Sequence, residues 1–346
     1  MGNALRVGVV GVGRIGVHHA RSLLAVADVA ELVVADADPA RAEIVARELG
    51  ASAAAPAALI ESAPDALVIS TPTPTHAPLL RLAAEAGIPT FCEKPVALEL
   101  AVLDDVAAEV EATGTLVQVG FQRRFDAGYR AARDAVADGR VGRLLVLRAA
   151  THDPAPPAEA YVAASGGIFR DLHIHDFDAI RFVTGREVVE VYADGAVRET
   201  PWFARHDDVD AAVATLRLDD GALAVVTGTR RDPLGYDVRL EVFGTGDSVA
   251  VGVDERSPYR SVEQGQAPPA DPYRGFLDRF DAAYRAELEA FVAAVRSGGP
   301  SPCTLADARA ALAIAVAADR SRAERRPVAV EEVGPAQIVR AVGPGL

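Results

Sequence analysis

The stretch Gly11-Val12-Gly13-Arg14-Ile15-Gly16 constrains the fold of this chain more than any other segment, because it contains the pattern G-x-G-x-x-G. The pattern is weak alone, since glycine is common. Here it follows the apolar run LRVGVV and opens a helical stretch, which is the context of a dinucleotide-binding turn. The first glycine permits a tight turn, the second lets the backbone approach a pyrophosphate, and the third allows close packing of helix on strand. We therefore expect a Rossmann domain in which Gly11, Gly13, Arg14, Ile15 and Gly16 contact a dinucleotide.

Residues 1–121 alternate short apolar runs with helical stretches, as parallel βαβ units do. The runs LRVGVV, ELVVAD, DALVIST, PTFCEK and LVQVGF are nearly continuous in apolar residues, which indicates strands covered on both faces of a sheet. One of the intervening helices is expected from Pro39 to Leu49, with Gly50 as its C-cap. Residues 1–121 are therefore predicted to form an α/β Rossmann domain with a doubly wound parallel sheet.

The pattern changes after Phe121. Beyond Val188 several strands follow one another: VVEVYAD, AAVATLRL, ALAVVTGT, VRLEVFG and SVAVGV, with a DDG hairpin signal between the second and third. Strands in succession favour a mostly antiparallel sheet. Residues 122–346 are therefore predicted to form an α+β domain with a large open sheet. It also contains a loop from Ser257 to Gly275 and two amphipathic helices, from about Phe276 to Arg296 and from Leu305 to Ala323.

Asp36 ends the second apolar run, about 20 residues beyond Gly16, where dinucleotide-binding domains carry an acid that hydrogen-bonds a ribose 2′-hydroxyl. A carboxylate there repels the additional phosphate of NADP. The glycine pattern and Asp36 together predict NAD as the cofactor. The alternative is a glycine-rich turn with a solvated Asp36 and no cofactor.

The segment GGIFRDLHIHDFD places Asp171 and His175 four residues apart, so that on a helix their side chains share one face and can touch. A carboxylate that orients an imidazole makes a general base. His173 and Asp176 are expected to point elsewhere. Two alternatives stay open. A single histidine here can be a satisfied buried residue, and His173, His175 and Asp171 together can hold a metal, although hydride transfer to a nicotinamide needs none.

Lys94 lies in CEKPVAL, directly after an apolar run and before Pro95. The carboxyl ends of the strands in a doubly wound sheet face the ligand crevice, so we expect Lys94 near the reacting end of the cofactor. An ammonium there can stabilise alkoxide character on a substrate oxygen. The alternative is a surface lysine at a strand end, which is the usual case for one lysine considered alone.

Several segments together resemble the glucose–fructose oxidoreductase/inositol dehydrogenase/rhizopine catabolism (Gfo/Idh/MocA) family: GVVGVGRIG, STPTPTHAPL, CEKPVAL, VQVGFQRRFDAGY and GGIFRDLHIHDFD. The similarity extends over almost the whole chain, and within the family it is greatest to bacterial inositol 2-dehydrogenases. The resemblance implies three catalytic residues, Lys94, Asp171 and His175. It implies further cofactor contacts at Thr71, His76, Glu93 and Lys94. It also implies that the second domain binds the substrate through Arg123, Asp153, Asp171, His175 and Tyr236, together with Lys94 of the first domain.

The activity implied by the resemblance is the NAD-dependent oxidation of a secondary alcohol of a cyclic polyol, with myo-inositol oxidised at C2 as the first choice. The alternatives are scyllo-inositol or a pyranose sugar and, from another class, a non-catalytic regulatory protein that senses NAD(P). The presence of Lys94, Asp171 and His175 together disfavours the regulatory role. The polyol stays open, because Gln122 stands where inositol enzymes of the family carry methionine and the loop THDPAPP is less basic than theirs.

The composition disfavours other classes of protein. A formal net charge of −14 disfavours nucleic acid as a partner, because phosphate binding needs a basic surface. No stretch approaches the ~20 apolar residues of a membrane span. The two cysteines, Cys92 and Cys303, lie far apart, which indicates the reducing cytoplasm rather than a disulfide framework. No metal is expected, and the family resemblance implies a homodimer or homotetramer.

Overall fold

A computed structural model of the chain describes residues 4–265 and 267–334. The first of its two sheets is parallel and has six strands. The outer ends of the two predicted domains, residues 1–3 and 335–346, lie outside the described residues. The strand order is β3-β2-β1-β4-β5-β6, and the order reverses between β1 and β4, which creates a ligand crevice at the carboxyl ends of these strands. The strands are β1 (Leu5–Val10), β2 (Val29–Ala35), β3 (Ser52–Ala54), β4 (Ala66–Ile69), β5 (Thr90–Glu93) and β6 (Val117–Gly120). The predicted Rossmann fold is confirmed.

Five helices cover the two faces of this sheet: α1 (Arg14–Leu24), α2 (Pro39–Leu49), α3 (Pro56–Glu61), α4 (His76–Glu85) and α5 (Leu100–Thr113). Gly50 ends α2 in the left-handed conformation with φ 68°, as its position after Leu49 predicts. The short elements β3 and α3 were not predicted, because only six or fewer residues form each of them.

The second sheet has seven strands in the order β12-β11-β7-β10-β9-β8-β13. Its strands are β7 (Leu144–His152), β8 (Val188–Ala196), β9 (Ala211–Leu218), β10 (Leu223–Thr229), β11 (Asp237–Gly244), β12 (Ser248–Val251) and β13 (Val328–Ala329). Among the described strands, β7 and β10 are the one parallel pair of this sheet, and the other neighbours are antiparallel. The predicted mostly antiparallel sheet is confirmed, including the hairpin of β9 and β10.

The remaining helices are α6 (Ala127–Ala137), α7 (Glu159–Ser165), α8 (Ile174–Thr184), α9 (Trp202–Arg205), α10 (Phe276–Arg279), α11 (Asp281–Ser297) and α12 (Leu305–Glu324), and a π-helical turn (Phe169–His173) precedes α8. The helix expected from Phe276 to Arg296 is interrupted at Phe280, which has φ −117° and is fully buried beneath the second sheet. Helix α7 was not predicted, because it follows a proline-rich segment that gives no helical signal. None of the helices in the described ranges combines the length and apolar character needed to cross a membrane.

The two sheets share their hydrophobic cores through the last helices. Leu288 and Phe291 of α11 are fully buried in one cluster with Val7 and Val9 of β1. Leu312 of α12 packs in a cluster with α4 and α5. The division between residues 1–121 and 122–346 stays a prediction, and the packing shows that helices from the second part complete the core of the first.

Candidate active site

The glycine-rich turn lies between β1 and α1, at the carboxyl edge of the first sheet. Gly11 has φ 90°, a conformation that favours glycine, and a Cβ on Gly16 would lie 1.9 Å from the Gly11 carbonyl oxygen. A Cβ on Gly13 would meet nothing within 4 Å, and among the described residues no side chain caps α1. Backbone N–H groups at a helix N-terminus therefore face open space, which fits the pyrophosphate of NAD. Arg14 stacks on the ring of Phe276 at 4.5 Å, and Ile15 packs against the core of the second sheet.

The carboxylate of Asp36, which follows β2, lies against the glycine-rich turn. Oδ2 accepts a hydrogen bond from the Val12 N–H at 2.9 Å, and Oδ1 accepts one from the Asp38 N–H at 3.0 Å. Each carboxylate oxygen has a second lone pair, so Asp36 can still accept hydrogen bonds from ribose hydroxyls while its charge opposes a 2′-phosphate. The contact of Asp36 with a ribose stays a prediction.

His76 connects the two loops that follow β4 and β5. Its Nε2 lies 2.7 Å from the Thr71 carbonyl oxygen, and its Nδ1 lies 2.8 Å from the Pro95 carbonyl oxygen. Burial lowers the pKa of His76, and the two carbonyl oxygens offset only part of the decrease. Glu93 ends β5 and is also buried. Thr71, His76 and Glu93 thus fix the loops that border the crevice, and their contacts with the cofactor stay predictions.

Lys94 extends from the end of β5 to residues of the second part of the chain. Its Nζ donates to the Asp171 carbonyl oxygen at 3.0 Å and lies 3.3 Å from Asp171 Oδ1. Arg230 donates from Nη2 to Asp171 Oδ2 at 2.8 Å and from Nη1 to Asp153 Oδ2 at 3.1 Å. Lys94, Asp171, Arg230 and Asp153 therefore alternate in charge, and we call these four residues the charged row. The Tyr161 hydroxyl also donates to Asp171 Oδ1, at 2.8 Å.

The topology of the second sheet brings together two residues of the charged row, Asp153 and Arg230. Asp153 and Arg230 directly follow the last residues of β7 and β10, which are parallel neighbours. The carboxyl ends of parallel strands lie at the same edge of a sheet, so the two side chains leave the sheet side by side. The Asp153 N–H donates to the Thr229 carbonyl oxygen at 2.9 Å, which continues the ladder to that edge.

The charged row determines the protonation of the site. Burial alone raises the pKa of Asp171, but Lys94 and then Arg230 outweigh it and lower that pKa to about 2. Burial, Lys94 and Arg123, in that order, lower the pKa of His175 well below its usual value. Burial raises the pKa of Asp153, and Arg230 offsets only part of that increase. At neutral pH the site therefore contains an ionised Asp171 and a neutral His175.

The predicted contact between Asp171 and His175 is wrong. Within the described residues the Asp171 carboxylate bonds to Lys94, Tyr161 and Arg230, and His175 Nδ1 is buried without a partner. The cause is local, because Asp171 lies in the π-helical turn, where the four-residue spacing of an α-helix does not apply.

A histidine–carboxylate pair does form in this segment, between His173 and Asp176, whose side chains were predicted to point away from Asp171 and His175. His173 Nδ1 lies 3.1 Å from Asp176 Oδ2, and both side chains are fully buried. The alternative of a metal held by His173, His175 and Asp171 has no support in the described residues, which do not bring these three together as a metal-binding group.

Arg123 and Tyr236, both predicted to line the substrate site, are buried. Arg123 pairs with Asp176 at 2.5 Å and donates to the Thr151 hydroxyl at 2.9 Å, and its side chain is 2% exposed. Its guanidinium thus bonds to Asp176 and Thr151. The Tyr236 ring packs edge-on against Phe280, with 6.5 Å between the ring centroids. Substrate contacts of Arg123 and Tyr236 stay predictions.

Two residues of the site, Arg230 and Tyr161, were not predicted from the sequence. Arg230 directly follows the apolar run ALAVVTGT, and position at a strand end is the same signal that singled out Lys94. Tyr161 lies on α7 and gave no comparable signal, because a single tyrosine in an aperiodic segment does not indicate a site.

Comparison with known proteins identifies the family of this chain. A family model described as an oxidoreductase family with an NAD-binding Rossmann fold matches residues 5–121, and one described as the GFO/IDH/MocA C-terminal domain matches residues 129–250. The chain belongs to the GFO/IDH/MocA oxidoreductase family. As a member of this family it is an oxidoreductase with an NAD-binding domain, and the predicted family, enzyme class and cofactor are confirmed.

Several inositol dehydrogenases are similar to this GFO/IDH/MocA chain over nearly its full length. A myo-inositol dehydrogenase of Streptomyces leeuwenhoekii is 40% identical, with 92% of this chain and 97% of the relative covered. A myo-inositol 2-dehydrogenase of Thermotoga maritima is 39% identical, with 95% and 99% covered. A scyllo-inositol 2-dehydrogenase (NAD(+)) of Bacillus subtilis is 37% identical, with 96% and 98% covered.

Solved structures show the same similarity. A myo-inositol dehydrogenase from Corynebacterium glutamicum superposes with a TM-score of 0.87 at 37% identity, with 96% of this chain and 100% of that chain covered. A scyllo-inositol dehydrogenase from Lactobacillus casei, with bound NAD(H) and scyllo-inositol, superposes with a TM-score of 0.85 at 27% identity, with 94% and 99% covered.

Proposed function

We propose that this chain is an inositol 2-dehydrogenase, which oxidises myo-inositol at C2 to a ketone with NAD. One observation carries the proposal. Lys94, at the carboxyl end of β5, forms a partly buried ion pair with Asp171 at the same sheet edge as the glycine-rich turn. A lysine held at this crevice by an ionised carboxylate can bind the oxygen of a reacting alcohol.

The residues of the site divide the reaction between them. Bound NAD supplies the acceptor for the hydride that leaves the alcohol carbon. Lys94 donates a hydrogen bond to the alcohol oxygen and stabilises the negative charge that develops on it. His175, neutral at pH 7, accepts the hydroxyl proton. Asp171 remains ionised and holds Lys94, with Arg230 and Tyr161 fixing its carboxylate.

The polarity of the site supports a polyol as the substrate. The charged row places two carboxylates and two cations close together, and the Tyr161 hydroxyl adjoins them. A cyclic polyol carries both a donor and an acceptor on every hydroxyl, so it can bond to groups of both kinds. The relatives named myo-inositol dehydrogenases favour that isomer, and the similar scyllo-inositol enzymes make scyllo-inositol the second candidate.

The test is a substrate panel with the purified protein and NAD, in which reduction of the nicotinamide is followed by absorbance. The panel contains myo-inositol, scyllo-inositol and a pyranose sugar, and Lys94→Ala serves as the control for background reduction. The highest kcat/KM is expected for myo-inositol. A higher kcat/KM for scyllo-inositol would make scyllo-inositol, rather than myo-inositol, the proposed substrate. Binding of NAD without turnover of any polyol would favour a regulatory protein.

The proposal also includes a homodimer or homotetramer in the cytoplasm. On the outward face of the second sheet, four apolar side chains are 37–48% exposed: Val146, Tyr192, Val213 and Leu223. A second copy of the chain can cover such a face, and light scattering of the purified protein measures the oligomeric state. Cys92 and Cys303 are buried free thiols, which suits a reducing compartment.

A further inference from the structure

A buried cluster of titratable side chains lies behind the backbone of Lys94. It consists of His19 on α1, Glu93 at the end of β5 and Glu287 on α11, and we call it the buried triad. One potential ligand atom from each residue lies within 4.8 Å of the others. His19 and Glu287 are fully buried, and Glu93 is 8% exposed. The triad therefore joins three elements at the place where the last helices pack on the first sheet.

The hydrogen bonds of the buried triad account for Glu93 but not for Glu287. Glu93 Oε1 lies 2.6 Å from His19 Nε2, and Oε2 accepts from the Lys94 N–H at 3.2 Å. Within the described residues, both carboxyl oxygens of Glu287 and Nδ1 of His19 are buried without a hydrogen-bond partner. Because an ionised carboxylate can only accept hydrogen bonds, two ionised carboxylates this close in a buried site would repel each other without compensation. Each oxygen of Glu93 accepts one hydrogen bond and keeps a second lone pair, so Glu93 can also accept a hydrogen from a protonated Glu287.

We propose that Glu287 is a positioning residue that stays protonated at neutral pH and donates its carboxyl hydrogen to Glu93, which in turn holds the backbone of Lys94. The protonation is independent of the substrate, whereas the effect on Lys94 rests on the proposed function. Burial and then Glu93 raise the pKa of Glu287 well above its usual value, which agrees with the geometry. The other groups near Glu287 are Tyr284 on the same helix, Cys303 before α12, and Gln118 of β6, which donates to the Glu287 carbonyl oxygen at 2.8 Å.

A divalent cation is the competing way to neutralise the buried triad, since one histidine and two carboxylates are also metal ligands. The proton fits the observed contacts better. The short distance from His19 Nε2 to Glu93 Oε1 and the bond from the Lys94 N–H give each oxygen of Glu93 one hydrogen-bond donor, which stabilises its negative charge without a metal. In the part of the chain that the structure describes, the unpartnered polar atoms of the triad are His19 Nδ1 and the two carboxyl oxygens of Glu287, and a proton on Glu287 gives one of these oxygens a hydrogen to donate.

Infrared spectroscopy tests the protonation directly, with no substrate present. At neutral pH the wild-type protein is expected to show the carbonyl band of a protonated carboxylic acid, which shifts in D₂O and is absent from Glu287→Gln. The difference spectrum of the two proteins isolates this one group. Glu289→Gln, on the exposed side of α11, is the matched control and is expected to retain the band.

Stability gives a second measurement with a defined sign. A carboxyl whose pKa is raised by folding costs stability progressively as the pH rises above its unfolded value, because the unfolded chain ionises first. An amide at position 287 is neutral at every pH and still donates to Glu93. The melting temperature of Glu287→Gln relative to wild type is therefore expected to rise from about pH 5 to about pH 8.

The effect on Lys94 is measured by turnover. Glu287→Gln is expected to retain most of kcat, while Glu287→Leu, which has no donor, should lower kcat at least about tenfold with the NAD Kd unchanged. A band that persists in Glu287→Gln would overturn the protonation, as would a stoichiometric metal in wild type that this variant lacks. Equal kcat losses in both variants would overturn the positioning role. If no polyol is oxidised at all, the infrared and melting measurements still decide the protonation, and the proposed function fails separately.

Discussion

Replacing Arg230 by methionine is expected to destabilise the fold and slow turnover. The guanidinium is 4% exposed and donates to Asp171 at 2.8 Å and to Asp153 at 3.1 Å. Lys94 and Arg230 outweigh burial and bring the pKa of Asp171 from 3.8 to about 2, which corresponds to roughly 2–3 kcal/mol at about 1.4 kcal/mol per pH unit. Leaving a buried charge unpaired typically costs about 3–5 kcal/mol. Since Lys94 still pairs with Asp171, we expect the lower end, a loss of about 3 kcal/mol in the free energy of unfolding.

The pH dependence of this loss has a definite sign. Folding lowers the pKa of Asp171, so its contribution to stability is present above the unfolded pKa and disappears as the pH falls towards about 2. Without Arg230 the folded pKa of Asp171 rises towards its usual value. The difference in stability between wild type and Arg230→Met should therefore be largest near neutral pH and decrease below about pH 4.

Urea denaturation at several pH values measures the loss, and steady-state kinetics with NAD and myo-inositol measures kcat. Displacement of Asp171, and with it Lys94, is expected to lower kcat on the order of 10²-fold. The matched control is Arg231→Met, because Arg231 is half-exposed and pairs with Glu199 at the surface. That variant should lose less than about 1 kcal/mol and keep its kcat. Equal effects of the two substitutions would refute the role assigned to Arg230.

Three further predictions concern residues singled out from the sequence. Wild type should show a higher kcat/KM with NAD than with NADP, and Asp36→Ala should reduce that preference; a wild type that prefers NADP contradicts it. His175→Ala should lower kcat about 10²–10⁴-fold. Because the pKa of His175 is lowered, the wild-type kcat/KM should fall only at pH values below the usual pKa of histidine, about 6.5. Lys94→Ala should lower kcat on the order of 10²–10³-fold while the fluorescence-measured NAD Kd changes little. Lys94→Arg should not restore kcat, because a planar guanidinium cannot replace a compact ammonium; near-wild-type turnover in either variant would remove Lys94 from the mechanism.

The fold was predictable from the sequence where local patterns determine it. The glycine-rich turn needs the positive φ of Gly11 and the absence of a side chain at Gly16, and the six-residue pattern from Gly11 to Gly16 indicates both requirements. Apolar runs located the five longer strands of the first sheet. The break at Phe280 was not predictable, because α10 and α11 together keep a helical pattern and the break depends on the burial of one ring beneath a distant sheet.

The candidate site was predictable only in part, because its contacts depend on strand pairing and on one irregular turn. Lys94 and Asp171 do meet, but the expected partner of Asp171 was His175. The π-helical turn changes the direction of the Asp171 side chain, and no residue pattern predicts such a turn. Arg230 reaches Asp153 because β7 and β10 are parallel neighbours, although 77 residues separate the two side chains in sequence. Pairing at that separation cannot be derived from the two strands alone.

The two sheets supply different residues of the site, and their shared hydrophobic cores explain how these residues keep their relative positions. The first sheet provides the cofactor crevice and Lys94, and the second provides Asp153 and Arg230. Helix α11 buries Leu288 and Phe291 against β1 and also carries Glu287 to the end of β5. A displacement of α11 would therefore disturb the packing of the first sheet and the support of Lys94 together. Because close-packed cores resist small displacements, the distance between Lys94 and Asp171 is fixed by the burial of apolar side chains on both sides of it.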